Sequence, residues 1–358
     1  MNRTLRNAVV GTVAGGAIIA LPAVALGAAT GSGASFPATA YSKWCQDSGL
    51  CSYTSKGSTG GINDLINGVV DFAASDATLT PQQLSDLAAK RGGATPLYFP
   101  TLIGAITVPT NIDGVSKGIN IDGPTLAGIF QGTITSWNDS RIRKSNPGVS
   151  FPSASITKCV RSDGSGTSFG FTAYLSKVSS SFRAAIGASQ QPNWPTSGVV
   201  KGARNPGVAG CIKSNSNSIG YVDISDARDA GLTAKFSKIG KSEVVKKNGK
   251  RQRTTVYILP SAGSASKAAN LTKFKEDLTL SLSASPVKGA YPITITTWIL
   301  AYSSYGAAGK SSTARDDVKK VLNYAYSSAA QDSLRELRFA PLPAGLITVA
   351  KAQIKKIK

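Results

Sequence analysis

Histidine is absent from all 358 residues, and this absence narrows the possible functions more than any residue that is present. Without an imidazole there is no Ser-His-Asp or Cys-His relay, no imidazole general base, no HExxH metalloprotease site and no histidine-ligated metal. A hydrolase built from this chain would have to use Lys, Asp or Glu as its base. Cysteine is scarce too. Cys45, Cys51, Cys159 and Cys211 are the only four, and no CxxC spacing joins them, which argues against a zinc site. An even number suits disulfides in a chain bound for an oxidising compartment. Of the three possible pairings, Cys45 with Cys51 and Cys159 with Cys211 is preferred. Carboxylates are few, 19 Asp and Glu against 40 Lys and Arg. Long apolar runs are missing beyond the N-terminus, so the mature chain is expected to be soluble.

At that N-terminus, Arg3 and Arg6 precede an uncharged stretch over residues 8–26, followed by the small-residue run Ala25-Leu26-Gly27-Ala28-Ala29. The pattern is that of a secretory signal peptide cut between Ala25 and Ala29, which assigns residues 1–29 to a leader. A short membrane anchor is the rival reading, weakened by Gly15, Gly16 and Pro22. Loss of Arg3 and Arg6 leaves 38 Lys and Arg against 19 Asp and Glu, a net charge of about +19. Such a field attracts anions, nucleic acid or an anionic envelope. The basic residues are not interleaved with aromatics and no DNA- or RNA-binding motif occurs, so nucleic acid is not the expected partner. The densest cluster, residues 235–253, holds eight Lys or Arg with Glu243 alone opposing them. Its Asn248-Gly249 pair marks a β-hairpin tip, either simply solvated or an envelope-binding patch.

Along the rest of the chain apolar runs and helical spacings alternate, which predicts α/β layers with largely parallel strands. Helices are expected over residues 37–47, through Ile62, Leu65, Ile66 and Val69, over 124–131, over 165–178, and through Val318 to Ala325 and Leu346 to Ile354. Strands are expected over 69–74, 102–108, 156–160 and 294–302. Residues 260–285, rich in Ala, Ser and Lys, read as surface helix and loop.

Three small-residue loops run directly into helices: Gly33-Ala34-Ser35-Phe36-Pro37, Gly57-Ser58-Thr59-Gly60-Gly61 and Asp163-Gly164-Ser165-Gly166-Thr167. A helix N-terminus leaves backbone N–H groups unpaired and carries a partial positive charge, so an anion placed there gains several hydrogen bonds at once. Singly, each loop is an ordinary helix cap. Together, with Arg161 just before the third, they make a site for a tetrahedral oxyanion if the fold brings them into one place. Arg161 offers a planar fork of donors, and Asp163, two residues on, can hold that fork. Asp76 at the end of a strand reads locally as a turn residue or a helix cap. There is no Walker A lysine motif, so a nucleotide-hydrolysing P-loop is excluded.

The run GSGASFPATAYSKW, then GSTGGINDLINGVVDFAASDATLT, GIFQGTITSWND and VRSDGSGTSFGFTAYLSKVS, resembles the phosphate-binding proteins of bacterial phosphate ABC transporters (the PstS family of the periplasmic-binding-protein superfamily). Later segments agree, among them NPGVAGCIKSNSNSIGYVD, YPITITTWILAY and FAPLPAGL. The resemblance implies a two-lobed periplasmic-binding-protein fold (type II) with a ligand cleft between lobes, one at residues 30–107 plus 292–358 and the other at 108–291. It implies inorganic phosphate as ligand, bound by Ser35, Phe36, Ser58, Asp76, Arg161, Ser165, Gly166 and Thr167, with Asp163 supporting the arginine. It also implies a monomer that works with ABC permease subunits, without enzymatic activity, metal or cofactor. Sulfate, fully ionised at neutral pH, would meet the Asp76 carboxylate as an unpaired charge, whereas phosphate still carries a proton to donate. Many relatives carry a lipid-anchored cysteine after the leader; alanine stands there in this chain, so a periplasmic or extracellular protein without a lipid anchor is expected. A secreted scavenger or surface protein, a binder of another oxyanion, and a phosphatase using Ser58 with a Lys or Asp base are the competing readings.

Overall fold

Residues 28–270 and 274–358 are described by this computed structural model; the leader assigned to residues 1–29 lies almost wholly outside them. The first strands come from short runs of small residues. Strands β1 (Ala29–Gly33), β2 (Cys51–Ser55) and β3 (Phe72–Ser75) pair in parallel, with β1 in the middle, and helices Ala38–Ser48 and Ser58–Ile66 make the connections. Strand β4 (Pro96–Thr107) then leads away to β5 (Thr110–Asn111), β6 (Asn120–Asp122), β7 (Thr157–Arg161), β8 (Val199–Gly202), β9 (Ser218–Gly220) and β10 (Val222–Asp223). The long hairpin β11 (Lys238–Lys247) and β12 (Lys250–Ile258) follows, and β13 (Thr294–Tyr302) closes the series.

The strands form a six-stranded sheet in the order β10-β4-β13-β3-β1-β2, a four-stranded sheet β5-β9-β7-β8 and a three-stranded sheet β12-β11-β6. The fold is a two-lobed α/β architecture. The first sheet is more antiparallel than the alternation predicts, because β13 runs against both β3 and β4. β13 is buried along its whole length, and its run of apolar and threonine residues is compatible with burial on both faces but carries no mark of direction. The chain passes from one sheet to the others after β4, and β10 returns to lie antiparallel beside β4, pairing Val222 with Thr107 and Asp223 with Ile106.

Two local expectations are corrected. Val69 belongs to neither the helix nor the strand: it is 62% exposed in a turn, because Asn67 ends the helix and Gly68, at φ +70, turns the chain left-handed. The helix and loop expected over residues 260–285 are present among the described residues, but the helix is less exposed than expected. Ser261 caps the helix Ala262–Ala268, which buries Ala265 and Ala268 against β4, and the carbonyl of Leu278 accepts a bond from the indole N–H of Trp298. Ala265, Ala268 and Ala269 serve close packing, while Ala284 is exposed. The hairpin expected at Asn248-Gly249 is present with both residues at positive φ, as a two-residue turn between twisted strands requires, and it spans residues 238–258.

Both preferred disulfides are formed. Cys45–Cys51 ties the helix Ala38–Ser48 to β2, and Cys159–Cys211 ties β7 to the helix Arg204–Ser214. The second closes the longer loop, with a sequence separation of 52, and lies next to the candidate site. Its replacement, Cys159→Ser with Cys211→Ser, is expected to cost about 3–4 kcal/mol of stability. Denaturant unfolding of the double variant against wild type measures this, and equal midpoints would rule it out.

Candidate anion site between the lobes

The three small-residue loops expected to start helices converge on one place. Ser35 and Phe36 follow β1, Ser58 opens the helix Ser58–Ile66, Asp76 ends β3, and Arg161, Ser165, Gly166 and Thr167 lead from β7 into the helix Gly166–Val178. All eight are buried, so the site is enclosed. The two sides touch directly: Thr59 N–H donates to the carbonyl of Gly164 at 3.2 Å, and Gly166 N–H donates to Ser58 Oγ at 3.0 Å. At Gly166 only glycine fits, since a Cβ there would lie 2.6 Å from both Asp76 Cβ and Ser58 Oγ.

The hydroxyls share a pattern. Ser58 Oγ accepts from the N–H groups of Asp76 (3.3 Å) and Gly166 (3.0 Å). Ser35 Oγ accepts from Asn205 N–H at 3.3 Å, Thr167 Oγ1 from Asn205 Nδ2 at 3.4 Å, and Ser165 Oγ from Ser168 N–H at 3.1 Å. A hydroxyl whose oxygen is already supplied with donors has its own proton left to give. The backbone N–H groups of Ser35, Phe36, Ser58 and Thr167 likewise find no acceptor among the described residues. The arrangement is a cluster of spare donors, which is what an oxyanion needs.

Arg161 adds the charge. Its Nε and Nη2 donate to the two oxygens of Asp163 at 2.8 and 2.5 Å, and its Nη1 donates to Asn205 Oδ1 at 3.2 Å. The Tyr221 hydroxyl accepts its main-chain N–H at 3.2 Å, and that ring stacks on Phe171 with centroids 4.5 Å apart. Burial pushes the Asp163 carboxyl up, but the Arg161 hydrogen bonds and charge and the Arg204 N–H outweigh it and hold Asp163 below the ordinary range. Asp163 therefore stays ionised and grips one edge of the guanidinium, with hydrogens on its outer nitrogens still to be used.

Asp76 is the exception among donors. Its Oδ1 is buried without a hydrogen-bond partner. Burial pushes its pKa up to about 7, against the opposing pull of the Thr297 hydroxyl, the Arg161 charge and the Thr167 hydroxyl. The cluster thus places one unpartnered acceptor among many donors. Among the described residues no group of three or more His, Cys, Asp or Glu could hold a metal. The open groove of about 720 Å³ lined by Asp122, Arg141, Lys144 and Lys241 lies away from this cluster.

Asn205 and Tyr221 were not anticipated from sequence. Both lie in the segment NPGVAGCIKSNSNSIGYVD that carries the family resemblance, but no local signal gives either a role at the site, because the partners of Asn205 are 38 to 170 residues away in sequence.

Comparison with known proteins identifies the family. A family model described as a PBP superfamily domain matches residues 20–329. The phosphate-binding protein PstS of Xylella fastidiosa strain Temecula1 is 32% identical over 331 residues, covering 90% of this chain and 84% of its own. That of Haemophilus influenzae is 32% identical over 346 residues, covering 94% and 95%. In structure, a high-affinity periplasmic phosphate-binding protein solved with phosphate bound superposes with a TM-score of 0.72 at 20% identity, over 91% of this chain and 93% of the other. A phosphate-binding protein from Stenotrophomonas maltophilia gives 0.69 at 20% identity, over 91% and 93%. With its loops converging on one enclosed cluster of donors and its sequence aligned nearly end to end with these relatives, the chain belongs to the PBP superfamily and, within it, to the family of PstS phosphate-binding proteins.

Proposed function

We propose that the protein, exported from the cytoplasm, binds one inorganic phosphate in the cleft between its lobes and delivers it to the permease of an ABC importer. The observation that carries this reading is the composition of the cluster: spare hydroxyl and backbone donors and the Arg161 fork surround a single unpaired acceptor, Asp76. A hydrogenphosphate ion satisfies every one of these groups, using its oxygens as acceptors and its one proton as donor to Asp76. Sulfate leaves the carboxylate facing another anion. The bound ion's role is to be held and released, so the reading assigns no catalysis, and the absence of histidine fits that. The lobes divide at residues 30–107 plus 292–358 and 108–291 in this reading, with β10 crossing to the first sheet. Entry and exit then require the lobes to part, because the site residues are buried.

No helix among the described residues is long and apolar enough to cross a membrane. The exposed Lys246, Lys250, Arg251 and Arg253 of the β11–β12 hairpin support retention of the protein near an anionic envelope, either periplasmic or extracellular. Calorimetric titration of the mature protein at pH 8, where Asp76 is ionised, with phosphate and, separately, with sulfate tests the ligand. One-to-one phosphate binding without a sulfate response is expected; a protein that takes up no phosphate would remove both the ligand and the transport role.

A further inference from the structure

Asn205 touches more of the site than any residue the sequence singled out. It lies in the first turn of the helix Arg204–Ser214 and is fully buried. Its main-chain N–H donates to Ser35 Oγ across the cleft, its Oδ1 accepts from Arg161 Nη1, and its Nδ2 donates to Thr167 Oγ1. One side chain and one amide thus orient the arginine and two of the hydroxyls. Its own helix is pinned to the arginine's strand, since Cys159–Cys211 joins the two and Arg161 stands two residues beyond Cys159. Asn205 and Arg161 therefore move as one body. The residue before it, Arg204, has φ +58, a left-handed conformation that a side chain adopts only at a cost, and is held there by N–H donation to Asp163 Oδ1 at 2.8 Å and by Nη1 donation to the carbonyl of Ser55 at 3.3 Å.

We infer that Asn205 is a positioning residue that aims Arg161, Thr167 and Ser35 at the anion and couples that aim to closure of the lobes. Three physical points carry this. An arginine clamped by Asp163 alone is fixed along one edge and free to tilt about it; a second acceptor at Nη1 fixes the plane. That acceptor is neutral, so it orients the guanidinium without cancelling charge that the anion must meet. The donors from Asn205 fill the oxygens of Ser35 and Thr167, which turns both hydroxyl protons away from Asn205, that of Ser35 toward the ligand and that of Thr167 toward the ligand or the neighbouring Asp76. The contact with Ser35 joins residues 170 apart in sequence, on opposite sides of the cleft, so it forms only when the lobes close. Preorganised donors of this kind act mainly on residence time, because encounter of a small anion with a basic protein is set by the long-range field.

The inference rests on the phosphate reading, and the test separates the two. Phosphate association and dissociation are measured by stopped flow with an environment-sensitive dye on the full mature chain, for wild type, Asn205→Ala and Asn205→Asp. Wild type must bind phosphate; if it does not, the phosphate reading has failed, and the positioning role fails with it. Given binding, Asn205→Ala is expected to release phosphate about 10- to 100-fold faster with association changed less than about threefold. Asn205→Asp keeps the shape but places a carboxylate against Arg161, and is expected to bind more weakly than the alanine variant, which a role confined to packing would not produce. Should the alanine variant fail to fold, the isosteric aspartate variant carries the test alone, with at least tenfold weaker binding expected. Wild-type release rates in the alanine variant, or wild-type affinity in the aspartate variant, would overturn the inference.

Discussion

Asp76→Asn is expected to stabilise the ligand-free protein by up to about 4 kcal/mol at pH 8 and, at the same time, to erode the proposed preference for phosphate over sulfate. The first effect follows from linkage. Asp76 has its pKa raised from an ordinary 3.8 to about 7 in the fold, chiefly by burial. Between those values the folded state holds a proton that the unfolded chain has released, so stability falls as pH rises through this window and is lowest above it. Every pH unit that separates the folded from the unfolded value corresponds to about 1.36 kcal/mol, which sets the ceiling. Asparagine has no charge to desolvate and escapes the penalty. Denaturant unfolding in phosphate-free buffer at pH 5 and pH 8 checks the sign: wild type should lose stability over that range and the variant should lose much less. Parallel profiles would show that Asp76 is not the group responsible. The second effect comes from the same atom, since an amide both donates and accepts and has no charge to repel sulfate. The same logic predicts that wild type admits some sulfate as pH falls below about 7, where the carboxyl itself gains a proton. In the proposed reading the carboxylate exchanges stability for selectivity, a trade expected of binding sites rather than of cores.

Arg161→Ala is expected to weaken phosphate binding by roughly a hundred- to several-thousand-fold, because truncating one partner of a buried, charge-assisted contact costs about 3–5 kcal/mol. Arg161 is the charge within the cluster and its side chain is only 1% exposed, so water cannot substitute for it. The cost to folding should be smaller, about 1–3 kcal/mol, the penalty of leaving a partly buried acceptor without its partner. Asp163 would lose its two bonds to the guanidinium but is 23% exposed in its side chain and keeps the Arg204 N–H. Arg161→Lys restores charge without the fork; a single ammonium cannot serve Asp163, Asn205 and an anion together, so recovery should be partial. Calorimetry gives the affinities and denaturant unfolding the stabilities. If the alanine variant bound phosphate within about tenfold of wild type, the assignment of Arg161 to the ligand would be wrong.

Both effects depend on residues that local sequence reads in different ways. Arg161 with Asp163 is legible because the partners are two residues apart and their chemistry is complementary. Asp76 is not legible locally, since a carboxylate at a strand end is an ordinary turn residue; Thr80, not Asp76, caps the following helix Pro81–Lys90. Only the family resemblance singled out Asp76, and only the fold shows why it is distinctive, by enclosing it among donors. The same division runs through the rest of the molecule. The helices at Ser58, Gly166 and Ser312, the hairpin at Asn248-Gly249 and the disulfides rest on short-range signals: glycine conformations, capping hydroxyls, apolar spacing and cysteine count.

What the amino-acid sequence determined by itself was therefore the chemistry available: no histidine for catalysis, a large cationic excess, three donor-rich helix starts and one arginine beside its own carboxylate. What only the tertiary structure decided was which of those groups meet. The reversed direction of β13, the capping of Gly166 by Ser58 from 108 residues away and the reach of Asn205 to Ser35 across 170 residues all join groups that are remote along the chain. Backbone preferences act over a few residues, whereas a buried polar atom finds its partner anywhere the packing of two lobes brings one within about 3 Å, and no local pattern records that distance.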